Sequence, residues 1–482
     1  MGPVPLDAPA PPAAPPAAAP QPGRPWIWRL AGAVLLAISA WTVADRWILH
    51  FPDEIWLVDL EVYREGARSV VEGRPVYAWL TGAPQYLPFT YPPFGALLGL
   101  PLLLAPFGVV GWAWTVLQVV LLWVTAGIAF RPLVERGRAR AGLVQGAVAA
   151  VLVQLQPLQE GLRFGQVNSI LVTLVLVDVA RRRTGWWPRG SLTGLAAAVK
   201  LTPAVFWLHW AVTRQWRAAA ASVGTAAAVT GLTALFAPSA SAAYWTGALL
   251  DPSRLGPNAG TANQSLRGML LRIGPPEGPW LSLTWVLCVA GVAVLGLRLS
   301  ARLDRLGEPV AVVGAVGLIA VLVSPVSWTH HLHWGIPALG ALLGDGRSRA
   351  RVGTALAGGA VLFSRLPWTG NRLGEANDGW LAVVGGVLEQ SYCWFALLAL
   401  LALWWFLVRG RAVPERSAQI GVGTPAAASS VSTARTAQTP PPTRRTVARL
   451  SRRSSARPSS APTPETTSSA AHAPAKTDTG SW

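Results

Sequence analysis

Cysteine, lysine and charge are all scarce in this chain of 482 residues. The two cysteines, Cys288 and Cys393, sit in or near apolar runs, and no metal-ligand spacing is visible. A disulfide framework, a bound metal and any other cofactor are therefore not expected. Only 13% of residues are charged, against about 25% in a soluble protein. Lysine occurs twice, at Lys200 and Lys476, so arginine carries nearly all the positive charge. The first residues are rich in Pro and Ala and lack the apolar core of a signal peptide.

What the chain has is apolar residue, 52% of it, and 25 tryptophans. Apolar runs recur along its length, which predicts an all-α, polytopic membrane protein. The net charge of +18 suggests nucleic acid, but its placement does not. Arg clusters fall in short connections (Arg131 to Arg140, Arg181 to Arg189, Arg298 to Arg305, Arg347 to Arg351) and in the C-terminal tail. That is the positive-inside bias of a membrane protein, with lipid and not nucleic acid as the partner.

Keeping every Arg cluster on one side fixes the parity of the spans. Residues 26–48 cross first, and 93–106, broken by Pro101 and Pro106, reads as re-entrant. Residues 111–130, 141–157 and 166–180 cross, with 158–165 as a short outer loop. Residues 190–213 read as two short helices broken near Lys200 and Pro203. With 217–236, 281–299, 309–324, 331–344, 352–365 and 384–408 the expectation is about twelve crossings with both ends cytoplasmic. Residues 1–25 and 411–482 are expected to be disordered tails around a membrane domain at 26–410.

Residues 53–93 are the long polar interval in the first third. They carry Asp53, Glu54, Asp59, Glu61, Glu65 and Glu72 among six tryptophans and tyrosines. Residues 59–72 predict a helix that shows Asp59, Tyr63 and Gly66 on one face. Gly66 would admit a ligand or a neighbouring chain. A carboxylate beside aromatic rings suits a sugar site, although a solvated acidic loop has the same composition.

Other outer connections hold Glu160, Arg163, Gln166 and Asn168; Tyr244, Asn263, Gln264 and Arg267; the run SPVSWTHHLHW with His330, His331 and His333; and Arg365 with Trp368. Their convergence predicts one extracytoplasmic cavity. Lys200 at membrane depth calls for a partner or a function, or else snorkels. HHLH lacks a metal-binding period, so a histidine donating to phosphate or sugar is the better reading. His50 and His209 read as interfacial residues, and Asn263-Gln264-Ser265 matches a glycosylation sequon.

Six stretches in order carry a resemblance: DLEVYREGA (59–67), FTYPPFGALL (89–98), GQVNSILV (165–172), KLTP (200–203), NQSLRGML (263–270) and SPVSWTHHLHW (324–334). The chain resembles polyprenol-phosphate-sugar-dependent glycosyltransferases of the GT-C fold, in particular the actinobacterial GT87 family. That family includes alpha-1,2-mannosyltransferases of phosphatidylinositol mannoside and lipomannan synthesis. The resemblance implies a plasma-membrane enzyme with an extracytoplasmic site, a polyprenyl-phosphate mannose donor and a glycolipid acceptor. It implies Asp59 as general base, with Asp53 as the fallback. Tyr63, Asn168 and Asn263 would serve the sugar pocket, and Arg163, Lys200, His330 and His331 the lipid phosphate or acceptor. An arabinofuranosyltransferase with a decaprenyl-phosphate donor shares these features. A transporter or flippase fits less well, because no internal repeat is visible and the ionisable residues crowd the outer loops.

Overall fold

The computed structural model describes residues 25–50, 56–83, 85–181, 186–256 and 258–409. The expected tails lie outside the described residues, apart from Pro25, and so do Asp53 and Glu54. Among the described residues the fold is all helix, with two isolated bridges and no strand.

Twenty α-helices follow one another, interrupted by short 3-10 and π turns. The first is α1 (Pro25–Ala44), a span extended by a π turn to Leu49. Helix α2 (Val58–Val71) is short and amphipathic, and its glutamates, Glu61 and Glu65, are half-buried. Glu65 pairs with Arg68, and Glu72 with Arg74. Helix α3 (Pro93–Leu98) ends in a 3-10 turn around Pro101, as expected of a proline-broken, short segment. Helix α4 (Phe107–Ala129) is long enough to span.

Next come α5 (Arg131–Arg136), α6 (Ala141–Leu152), α7 (Gln156–Phe164) and α8 (Asn168–Ala180). The expected loop at 158–165 is instead helix α7, bent 79° from the preceding helical segment. Its polarity is turned inward: Gln156, Gln159 and Glu160 are all buried. Gln159 accepts from the Trp47 indole at 2.8 Å and donates to the Gln154 carbonyl at 2.7 Å. Interior partners, not water, satisfy this segment.

Helix α9 (Ser191–Val199) stops at Lys200, whose backbone is extended, and α10 (Val205–Val212) resumes after a 3-10 turn. The break falls where the sequence predicts it, because Pro203 cannot continue the ladder. His209 is not interfacial: it is buried, with Nδ1 3.0 Å from the Ser300 hydroxyl. After α11 (Trp216–Phe236), the long connection expected on the outer side folds into α12 (Pro238–Thr246) and α13 (Leu266–Ile273).

Helices α14 (Pro279–Arg305) and α15 (Pro309–Val323) pack together. Helix α14 leaves Trp280, Val286, Leu287 and Leu295 exposed. Helix α15 is apolar all round and buried from Ala311 to Leu322, as such a helix must be. The chain closes with α16 (Gly335–Leu343), α17 (Arg349–Phe363), α18 (Leu366–Glu375), α19 (Gly379–Glu389) and α20 (Ser391–Leu403). Among the described residues five helices are long and apolar enough to cross a membrane, or six if the bent pair through α6 and α7 counts as one span. The chain is a multi-pass membrane protein, and the rest of the expected crossings would fall to shorter helices.

Two close fits tie the bundle together. A Cβ on Gly146 would lie 2.2 Å from the Gly32 carbonyl oxygen, so α1 and α6 cross at backbone distance. Asp178, fully buried near the end of α8, accepts from the Gly190 and Thr193 amides and from the Thr193 hydroxyl at 2.9–3.1 Å. It thereby satisfies the start of α9, the helix that leads to Lys200. Asp178→Ala is expected to cost about 3 kcal/mol and Asp178→Asn less, read as lowered thermal midpoints of the purified protein in detergent.

Candidate active site

Helix α2 starts from a constrained backbone. Leu57 is fully buried in the left-handed region (φ 51°), and its N–H donates to the Arg163 carbonyl at 3.0 Å. That conformation is costly for a branched side chain and is held by the packing around it. It sets the first turn of α2, and with it Asp59, against the end of α7. Gly165 makes the matching turn at φ 73°, where a Cβ would sit 2.8 Å from Leu60 Cβ. Gly66 admits neither ligand nor backbone, since the Phe89 ring fills its face.

Beneath α2 lies a polar knot. The Tyr63 hydroxyl is 2.8 Å from that of Tyr91, and both are within 3.3 Å of Gln166 Oε1. The Gln166 side chain lies near enough to Asp59 to favour its ionised form. Lys200, at the α9–α10 break, points its Nζ at His331 Nε2 (2.9 Å) and over the Tyr91 ring (5.3 Å). An ammonium can only donate, so His331 accepts through an unprotonated nitrogen. Lost hydration raises the Asp59 carboxyl to about 6, while the Gln166 side chain and the Lys200 charge pull the other way. A crevice opens beside this knot, lined by Tyr63, Tyr91, Gly95, Leu102, Trp114 and Val199.

The three neighbouring histidines have separate lives. His333 is fixed, Nδ1 to the His330 carbonyl at 2.7 Å and Nε2 to the Ser169 hydroxyl at 3.2 Å. His331 meets Lys200. The His330 ring is buried against Phe164 and His331, and neither of its nitrogens has a hydrogen-bond partner among the described residues. Among the described residues no group of three or more His, Cys, Asp or Glu could hold a metal ion.

The structure thus brings Asp59, Tyr63, Lys200 and His331 together, with His330 next to His331. Asn168 is adjacent, but its amide holds the His330 carbonyl at 3.1 Å. Asn263 is fully buried and committed: Oδ1 accepts from Ser265 and Ser327 amides, and Nδ2 donates to the Asn258 and Pro325 carbonyls. It clamps the histidine segment from behind and does not face a sugar, and its burial closes the sequon to a glycan. Arg163 stands in another group, stacked on Trp47 and Phe164 beside Glu160 and Arg365. Sequence reading passed over Tyr91 and Gln166 as site residues. Gln166 was named there only among the polar groups converging on one cavity, and Tyr91 only among the aromatics of the polar interval.

Comparison with known proteins agrees with this architecture. The family model described as Glycosyltransferase family 87 matches residues 89–325. A Mycobacterium tuberculosis protein named polyprenol-phosphate-mannose-dependent alpha-(1-2)-phosphatidylinositol mannoside mannosyltransferase is 35% identical over 83% of this chain and 94% of its own length. Its Mycolicibacterium smegmatis namesake is 33% identical over 78% and 89%. A second M. tuberculosis protein, named for a phosphatidylinositol pentamannoside, is 35% identical over 70% and 78%. No solved structure matches the chain.

The raised carboxyl gives a direct test. An infrared band abolished by Asp59→Asn is expected to show protonated acid below about pH 6 and carboxylate above it. A band titrating near the ordinary aspartate value of ~4 would mean that water reaches the carboxyl freely.

Proposed function

We propose, because this chain belongs to glycosyltransferase family 87, that it transfers mannose from polyprenyl-phosphate mannose to a phosphatidylinositol mannoside-type glycolipid. The site would face outward from the plasma membrane, with both ends of the chain cytoplasmic and residues 26–410 as the catalytic domain. Family membership makes the chain a glycosyltransferase, which sets the transporter reading aside. The mannose named in the relatives' titles favours that sugar over arabinose.

One observation carries the mechanism: Asp59 and Lys200 feel each other's charge, yet the Lys200 hydrogen bond goes to His331. Asp59 therefore keeps a lone pair for a substrate proton. The acceptor hydroxyl attacks the anomeric carbon as its proton passes to Asp59. The bond from that carbon to the phosphate oxygen breaks, and its electron pair leaves with polyprenyl phosphate. Displacement from the opposite face inverts the centre, taking a beta-linked donor to an alpha-mannoside. Lys200 and the paired His331 would hold the phosphate, where cationic donors stabilise the charge that develops. The unpartnered nitrogens of His330 support a contact with donor or acceptor. The apolar crevice beside Tyr63 and Tyr91 suits the first prenyl units.

Asp59→Asn should lower transfer by at least the ~10²–10⁴-fold of a positioned base in protein that still inserts and folds, measured with radiolabelled polyprenyl-phosphate mannose. Retained transfer would remove Asp59 from that role. Lys200→Ala should weaken donor saturation far more than acceptor saturation. The reverse pattern would move the phosphate elsewhere.

A further inference from the structure

The His330 ring is buried, and neither of its nitrogens has a hydrogen-bond partner among the described residues. It rests edge-on against Phe164 and His331, with ring centres 6.2 and 4.8 Å away. With no hydrogen bond on the ring, its aim falls to the main chain beneath it. That main chain is held by its carbonyl oxygen, which takes two side-chain donors at once. Asn168 Nδ2 donates to it at 3.1 Å and His333 Nδ1 at 2.7 Å. A carbonyl oxygen has two lone pairs and can only accept, so His333 carries a proton on Nδ1.

The other end of the His333 ring is held too, with Nε2 3.2 Å from the Ser169 hydroxyl. Asn168 and Ser169 are consecutive and open α8. One reaches the His330 carbonyl directly, and the other reaches it through the His333 imidazole. The start of a single helix thus grips the histidine turn at one oxygen by two routes. Across from it, α7 is cut to fit: a Cβ on Gly161 would lie 2.6 Å from His333 Cε1. Three residues further along the same helix, Phe164 meets the His330 ring. We propose that His333, braced by Ser169 and sharing one carbonyl with Asn168, is a positioning residue that aims the His330 ring at the substrate. The inference rests on His330 touching donor or acceptor.

The test uses the full chain with polyprenyl-phosphate mannose and a phosphatidylinositol mannoside, and measures kcat and KM for each. His333→Leu, His333→Asn and Ser169→Ala are each made alone and together with His330→Ala. His333→Leu removes both hydrogen bonds of the imidazole and should lower kcat/KM by about 10–100-fold, as a displaced group does. His333→Asn sets an amide NH2 where Nδ1 stands and should recover most of that loss. Ser169→Ala removes only the brace and should lower kcat/KM by roughly 2–10-fold, as one neutral hydrogen bond does. In the His330→Ala background, His333→Leu should have almost no further effect, because residues that act through one group are not additive. Ser169→Ala repeats this cycle more mildly should the leucine variant fail to fold. Undiminished losses in the double variants would reduce His333 to packing and overturn the proposal. Wild-type kcat/KM in His333→Leu would overturn it as well. Wild-type transfer by His330→Ala would instead sink the substrate contact, so the two failures are told apart.

Discussion

A carboxylate that must accept a proton cannot also be locked to the nearest cation. Everything around Asp59 respects that constraint. A direct ion pair with Lys200 in so sheltered a place would hold the acid ionised but too weakly basic to work. Here the ammonium is drawn aside by His331, at 2.9 Å, and lies over the Tyr91 ring. Its charge still reaches Asp59 and, with the neighbouring Gln166 side chain, moderates the cost of burial. The acid is left raised, ionisable and open to a hydroxyl.

Holding these groups at that separation requires backbone devices from distant parts of the chain. The break after Val199 exposes Lys200 at the end of a helix that Asp178 anchors from the other side. Asn263 fixes Ser327 and Pro325, so the 3-10 turn that carries the histidines starts from a rigid base. The turn then packs along α7, where Gly161 leaves room for the His333 ring. Each device acts on main chain or on a side chain already spoken for. The reactive groups are thereby left few and free to move protons.

The parts legible in the sequence were those with a local cause. Prolines marked the breaks at 93–106 and 200–203, and lysine scarcity singled out Lys200. Helical spacing put Asp59 and Tyr63 on one face. What stayed hidden was the choice of partner. Polarity in 158–165 read as an outer loop, yet Gln159 and Glu160 are buried and meet interior groups. Asn263 and Gln166 are equally polar and equally buried. One clamps loops and the other joins the tyrosine knot, and no local pattern separates them, because the difference lies in residues some sixty to a hundred positions away.

The same reasoning bears on which cation meets the phosphate. Arg163 and Lys200 looked equivalent as positive charges on one side of the membrane. In the fold, Arg163 spreads over Trp47 and Phe164 and shares Glu160 with Arg365. A guanidinium stacked on rings and facing an acid has much of its field already answered. Among the described residues Lys200 donates to an imidazole and lies over a ring face, and it shares charge with Asp59 without a direct ion pair, so it can still answer an incoming anion. Arg163 acts on the site by another route, through the carbonyl that holds Leu57 in its left-handed turn two residues before Asp59. One arginine thus helps set where Asp59 stands, and the lysine what it stands beside.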